Sequence, residues 1–204
     1  MPESGIGVSG IGDAEPASGL RECVRGGMTL LDDQVCIVTG AGQGLGRAIA
    51  LEMAKEGAAV ALLERNRDTL DRTAKDIAAS GGKAIPYQLD ITDYDVYGKV
   101  VADLVARQGR IDVLVNNAVW RELGSLRSLS LQNWERTLRT SLTAAIFLTK
   151  YVADVMEKRG GGGVIVNMSS VLAGRPGGIS PAYNICKGGI ETLTYESAVL
   201  YGPA

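Results

Sequence analysis

Val35-Cys36-Ile37-Val38-Thr39-Gly40-Ala41-Gly42-Gln43-Gly44-Leu45-Gly46 is the stretch on which the fold turns. Its apolar start reads as a short buried strand, and Leu45 to Glu56 carries Leu45, Ile49 and Met53 at helical spacing. A strand that turns directly into a helix leaves unpaired N–H groups at the helix start, which favour a bound anion. Gly40 lets the chain turn where a side chain would crowd it. Gly44 clears space for a pyrophosphate, and Gly46 lets helix and strand touch. With Gln43 and Leu45 between the glycines, the turn reads as a dinucleotide cradle. An ordinary glycine-rich βα loop has the same composition, so the turn does not decide function alone.

Further along, short apolar runs alternate with longer amphipathic ones. Strands are expected at 58–63, 84–89, 113–115 and 164–168. Helices are expected at 69–79, 92–107 (inner face Val96, Val100, Val101, Leu104 and Val105), 131–158 with one break, and from Pro181 toward Leu200. That alternation predicts an α/β fold: a Rossmann-like, doubly wound parallel sheet with helices on both faces. Residues 28–204 form the nucleotide-binding domain in this reading. Residues 1–27 have neither period nor bulk and are expected to be a flexible extension, with Met28 as an alternative start.

Composition narrows the function. A net charge of -2 supplies no basic field for nucleic acid. The absence of histidine removes Ser–His–Asp triads and His-based metal sites, and no metal site is expected. Scattered Cys23, Cys36 and Cys186 suit a reduced, cytoplasmic protein. A signal peptide is not expected, and no run approaches the ~20 apolar residues of a membrane span.

Residues at the strand ends fill in a site. Glu64 closes the second strand, twenty-four residues after Gly40, where a carboxylate accepts from ribose hydroxyls and repels a 2′-phosphate. NAD is therefore expected over NADP, with Arg65 softening the preference. Asp90 is placed to accept the adenine amino group with Ile91 against the base, and Asn116 and Asn117 tie neighbouring strand ends. Ser170 ends the fifth strand. Tyr183 and Lys187 lie one helical turn apart on one face, so the ammonium can favour the phenolate. In this arrangement Tyr183 takes the proton of an alcohol while hydride leaves carbon. Ser170 holds the oxygen, and Lys187 also grips the nicotinamide ribose. Trp120 to Leu129, with Arg121 and Glu122, borders the substrate side. Trp120 either packs on an apolar substrate or covers the core.

As a set, Thr39-Gly40-x-x-x-Gly44-x-Gly46, Asp90, Asn116-Asn117-Ala118, Trp134, Ser170 and Tyr183-x-x-x-Lys187 resemble the short-chain dehydrogenase/reductase family in its single-domain form. The likeness runs from Leu30 to Ala204. It implies an NAD(P)-dependent oxidoreductase acting on a small-molecule alcohol or ketone, dimeric or tetrameric through the two long helices.

Three departures accompany it. Val119 stands where the family usually has glycine. Ser141 stands where an asparagine usually supports a water in the proton relay. The family's last strands, a Pro-Gly loop and a substrate lid have no counterpart before Ala204, so a C-terminally incomplete domain is expected. Those departures keep a second reading open, a catalytically silent nucleotide-binding or oligomer-forming subunit.

Overall fold

The computed structural model describes residues 29–202; the N-terminal extension expected over 1–27 and Cys23 lie outside the described residues. Five strands form one parallel sheet in the order β3-β2-β1-β4-β5. They are β1 (Val35–Thr39), β2 (Ala59–Glu64), β3 (Lys83–Gln88), β4 (Val113–Asn116) and β5 (Val164–Asn167). Between them run α1 (Gly44–Lys55), α2 (Arg67–Ala79), α3 (Tyr97–Gln108), α4 (Leu131–Leu138) and α5 (Ala144–Arg159), with α6 (Pro181–Tyr201) after β5. Chain order reverses between β2-β1 and β1-β4, which opens a crevice beyond the ends of β1 and β4.

Period-2 alternation along the central strands divides the core in two. Ile37, Ala61 and Leu114 point to one face, where Tyr97, Leu104, Leu148 and Val152 of α3 and α5 cover them. Cys36, Val38, Val60 and Val115 point to the other, against Ala50 and Ala54 of α1 and Leu70 and Ile77 of α2. Each face is thus buried, as wholly apolar central strands require. Among the described residues β5 pairs with β4 alone, and its Val164 and Val166 are exposed at 55% and 38%.

Three details differ from the sequence expectation. The inner row of α1 is Gly46, Ala50 and Ala54, while Leu45 is 66% exposed and Ile49 and Met53 are half-buried. Small residues win that row because the helix lies close on the sheet. The expected break in 131–158 is instead a π turn, Arg139–Thr143, which lets α4 run on into α5. α3 also begins later than expected, at Tyr97 behind a 3₁₀ turn at Tyr94–Val96. The Tyr97 ring is fully buried, with its hydroxyl donating to Ile91 O.

At the far end of the sheet Asp112 holds three elements together. It accepts from Val35 N–H at 2.9 Å, from Arg110 Nη2 at 2.7 Å and from Arg159. Burial pushes its carboxyl up, but these donors outweigh it and hold the group below its ordinary value. The folded value lies below the unfolded one, so the stabilisation is present above the unfolded pKa. It is lost as pH falls through the folded value. Asp112→Asn should cost about 3 kcal/mol, the scale of breaking a buried charge cluster from one side. The loss should be full at neutral pH and fade in acid, read by denaturant unfolding; a pH-independent difference would contradict the assignment.

Candidate active site

The glycine turn has the geometry its sequence implies. Gly40 and Gly44 sit at φ +64° and +53°, the left-handed region. A Cβ on Gly46 would lie 2.2 Å from Gly40 O and 2.5 Å from Asn117 Nδ2, whereas nothing lies within 4 Å of one on Gly44. The first is closed by protein and the second faces open space, as a cradle for an anion needs. Gly42 is also constrained, by Thr69 Oγ1 at 2.4 Å and Glu64 Cγ at 2.8 Å from its notional Cβ.

Thr39 binds the crevice from beneath. Its buried hydroxyl accepts from Asn117 N–H and Ala118 N–H, both at 2.9 Å, and donates to Val115 O at 3.3 Å. Asn117 returns the link through Nδ2 to Thr39 O at 2.9 Å. One hydroxyl and one amide therefore lock the ends of β1 and β4. Asn116 Nδ2 extends the chain to Thr149 Oγ1 (3.0 Å) and Asn167 Oδ1 (2.8 Å), and Asn167 Nδ2 donates to Thr194 Oγ1 (3.0 Å) on α6.

A cleft of about 660 Å³ lies along these ends, lined by Gly40, Gln43, Gly44, Leu45, Glu64, Asp90, Ile91 and Asn117. Gly46 sits behind the lining, so all nine nucleotide-side residues gather at one crevice. The exposed Leu45 is explained here, as a wall of the cleft. Glu64 Oε2 accepts from Gly42 N–H (3.1 Å) and Oε1 from Asn66 N–H (3.0 Å), which fixes the carboxylate at the rim. Asp90 Oδ1 takes Thr92 N–H and Thr92 Oγ1, both at 2.8 Å, and those bonds hold its carboxyl below the ordinary value. Val119, Trp120 and Arg136 close the other end. The Arg136 guanidinium lies 3.3 Å from the Trp120 ring centroid. Trp120 thus packs under a cation at the mouth rather than inside the core.

Ser170, Tyr183 and Lys187 stand beyond that end, outside the cleft lining. Pro181 occupies the first turn of α6, whose buried face carries Ala182, Cys186, Lys187 and Ile190. Lys187 is 4% exposed; its Nζ donates to Met168 O, just past β5. Burial holds that ammonium below its ordinary value. Its Nζ is 5.6 Å from the centroid of the half-buried Tyr183 ring, so the expected pair does share a face. Ser170 Oγ accepts from Leu172 N–H at 3.2 Å, and no hydrogen bond joins it to Tyr183 among the described residues. Its neighbour Ser169 reaches α6 instead, through Glu191 Oε1 at 2.8 Å.

Ser141 is buried between the π turn and Trp120. Its hydroxyl accepts from Trp120 N–H at 3.0 Å and donates to Trp120 O at 3.2 Å, clamping the loop after β4 to the π turn. Arg121, which the sequence placed loosely on the substrate side, lies over Tyr183 with Cζ 5.2 Å from the ring centroid.

Comparison with known proteins agrees with this geometry. Residues 34–204 match the family model for short chain dehydrogenase. The chain is 36% identical over 166 residues to a 3-oxoacyl-[acyl-carrier-protein] reductase of Thermotoga maritima, covering 80% of this chain and 66% of that protein. It is 36% identical over 178 residues to an L-rhamnose 1-dehydrogenase (NAD(P)(+)) of Azotobacter vinelandii, covering 85% and 70%. A short-chain dehydrogenase/reductase structure from Burkholderia xenovorans superposes with TM-score 0.82 at 38% identity, over 86% of this chain and 71% of that one. An NAD+-bound xylitol dehydrogenase superposes with TM-score 0.82 at 32% identity, over 85% and 67%. The chain belongs to the short-chain dehydrogenase/reductase family of NAD(P)-binding oxidoreductases. It spans about two thirds of the length of these curated relatives.

Gly46→Ala should lower stability by about 1–3 kcal/mol, the cost of overpacking, and weaken NAD(P) binding, because Gly40 must retreat. Denaturant midpoints and a cofactor titration check it; unchanged values in both would mean the helix sits farther from the turn.

Proposed function

We propose that the chain is the catalytic domain of an NAD-dependent alcohol dehydrogenase or ketoreductase with Tyr183 as acid/base. The observation that carries this is Lys187: a buried lysine anchored at the end of β5 and facing the Tyr183 ring, one strand from the nucleotide cleft. A lysine that merely solvated a helix face would not be buried.

The residues present fit a dinucleotide, since Gly44 leaves the cradle open and the N-terminus of α1 points N–H groups into it. Bound nicotinamide supplies the hydride acceptor or donor. Everything else falls to the chain. Tyr183 takes the carbinol proton in oxidation and returns it in reduction, and Lys187 favours the phenolate. Ser170 Oγ orients the substrate oxygen, which requires it to exchange its Leu172 contact for one to substrate. Asn117 and Ser141 keep the intervening loop in place. Glu64, fixed at the rim, selects NAD over NADP by its charge, while Asp90 and Ile91 border the adenine side.

Among the described residues no helix is long and apolar enough to cross a membrane. We read the protein as cytoplasmic on its free, buried Cys36 and Cys186. Exposed Ile146, Phe147 and Tyr151 on α5, with Tyr195 and Val199 on α6, favour a homodimer or homotetramer.

Tyr183→Phe should retain NAD binding and lose at least ~100-fold in kcat on a panel of secondary alcohols, the scale of general acid–base catalysis. Undiminished turnover would remove Tyr183 from the chemistry, and no turnover by the parent would favour the silent subunit. Glu64→Ala should raise the NADP/NAD affinity ratio by about tenfold, as removing a like-charge contact does; calorimetric titration of both dinucleotides reads it, and an unmoved ratio would count against the ribose assignment.

A further inference from the structure

The loop leaving β4 and the segment entering α6 are stitched together twice. Gly124 N–H donates to Ile179 O at 2.9 Å, and Arg121 Nε donates to Ser180 Oγ at 3.0 Å. Ser180 is 1% exposed, and its own hydroxyl donates to Ile179 O at 2.7 Å, so its lone pairs are left for Arg121. That bond fixes the guanidinium beside the Tyr183 ring.

Two cations therefore flank one phenol, and they are differently employed. Lys187 is committed to Met168 O. Arg121 spends only Nε; among the described residues no carboxylate lies within ion-pair distance of it, and its Nη1–Nη2 edge takes no hydrogen-bond acceptor. A pre-positioned planar pair of N–H donors beside the reacting position matches the two oxygens of a carboxylate.

We propose that the substrate is a hydroxy acid, or in reverse an oxo acid, and that Arg121 is the residue that selects it. This deepens the proposed function and rests on it. In oxidation the carbinol C–H bond breaks and its hydride passes to NAD+, while the O–H proton passes to Tyr183. The carboxylate stays unchanged, held by Arg121, and the products are the oxo acid and NADH.

The test uses the full chain and a panel of 2-, 3- and 4-hydroxy acids, each beside its methyl ester and beside neutral secondary alcohols. At least one acid should exceed its ester about tenfold or more in kcat/KM, the scale of a charge-assisted bidentate contact. Arg121→Gln should collapse that ratio chiefly through KM, and Arg121→Lys, which keeps the charge but not the fork, should restore part of it. No acid exceeding its ester, or an Arg121→Gln ratio equal to the parent's, would overturn the inference. Calorimetric titration of the acids and esters into the NADH-loaded protein separates the two failures. Absent turnover with acid-selective binding that Arg121→Gln abolishes would sink the hydride-transfer reading and leave the Arg121 site standing. Absent acid-selective binding would sink the site.

Discussion

The hydroxyl of Thr39 is the joint on which the molecule depends. At the end of a parallel strand the next backbone N–H groups have no ladder partner, and a crevice there would normally be satisfied by water. Thr39 instead takes two such N–H groups from β4's exit and returns a proton to Val115 O. Leaving those donors buried without a partner would cost about 1–3 kcal/mol each. The joint therefore fixes the mouth of the cleft as rigidly as the core fixes the sheet. Asn117, held by the same joint, is also the atom group that forbids a side chain at Gly46. Strand ends, helix approach and cradle are in this way one constraint rather than three.

At the same end of the sheet a polar relay crosses from β4 to α6. Asn116, Asn167 and Thr194 pass from β4 to β5 to α6 in side-chain hydrogen bonds near 3 Å. Lys187 adds a second link between α6 and the end of β5. The helix that carries Tyr183 is thereby indexed to the strands whose ends line the cleft, although the two sets of residues are far apart in the chain. On the other side, Ser141 and Trp120 lock the loop between them. Arg121 then bridges that loop to the start of α6.

Four of the five strands were legible because β1, β2, β4 and β5 are short apolar runs ending at Thr39, Glu64, Asn116 and Asn167, and such runs need no tertiary knowledge to find. The nucleotide side was equally open to reading, since each residue follows a strand in register with the others. The inner row of α1 was not legible from bulk: Leu45 and Ile49 look like core, but a helix pressed on a sheet has room only for Gly46, Ala50 and Ala54. Tyr97 escaped because a phenol counts as polar until Ile91 O is found to satisfy it. Arg121 over Tyr183, and Ser141 on Trp120, are pairings between distant segments with no local pattern. A π turn has none either, because its extra residue alters hydrogen-bond span and leaves composition untouched. The extension at 1–27 lies beyond the described residues.

The π turn at Arg139–Thr143 also acts as a gear tooth in the long helix. Removing one residue from it would restore ordinary i to i+4 bonding, and because the extra residue is taken up within that single turn, the helix upstream would keep roughly its present face toward the sheet. Thr137 would stay inward, while Ser141, inside the turn, would be re-aimed and lose its grip on Trp120. Evolutionary drift through this segment should therefore accept changes of residue type far more readily than changes of length.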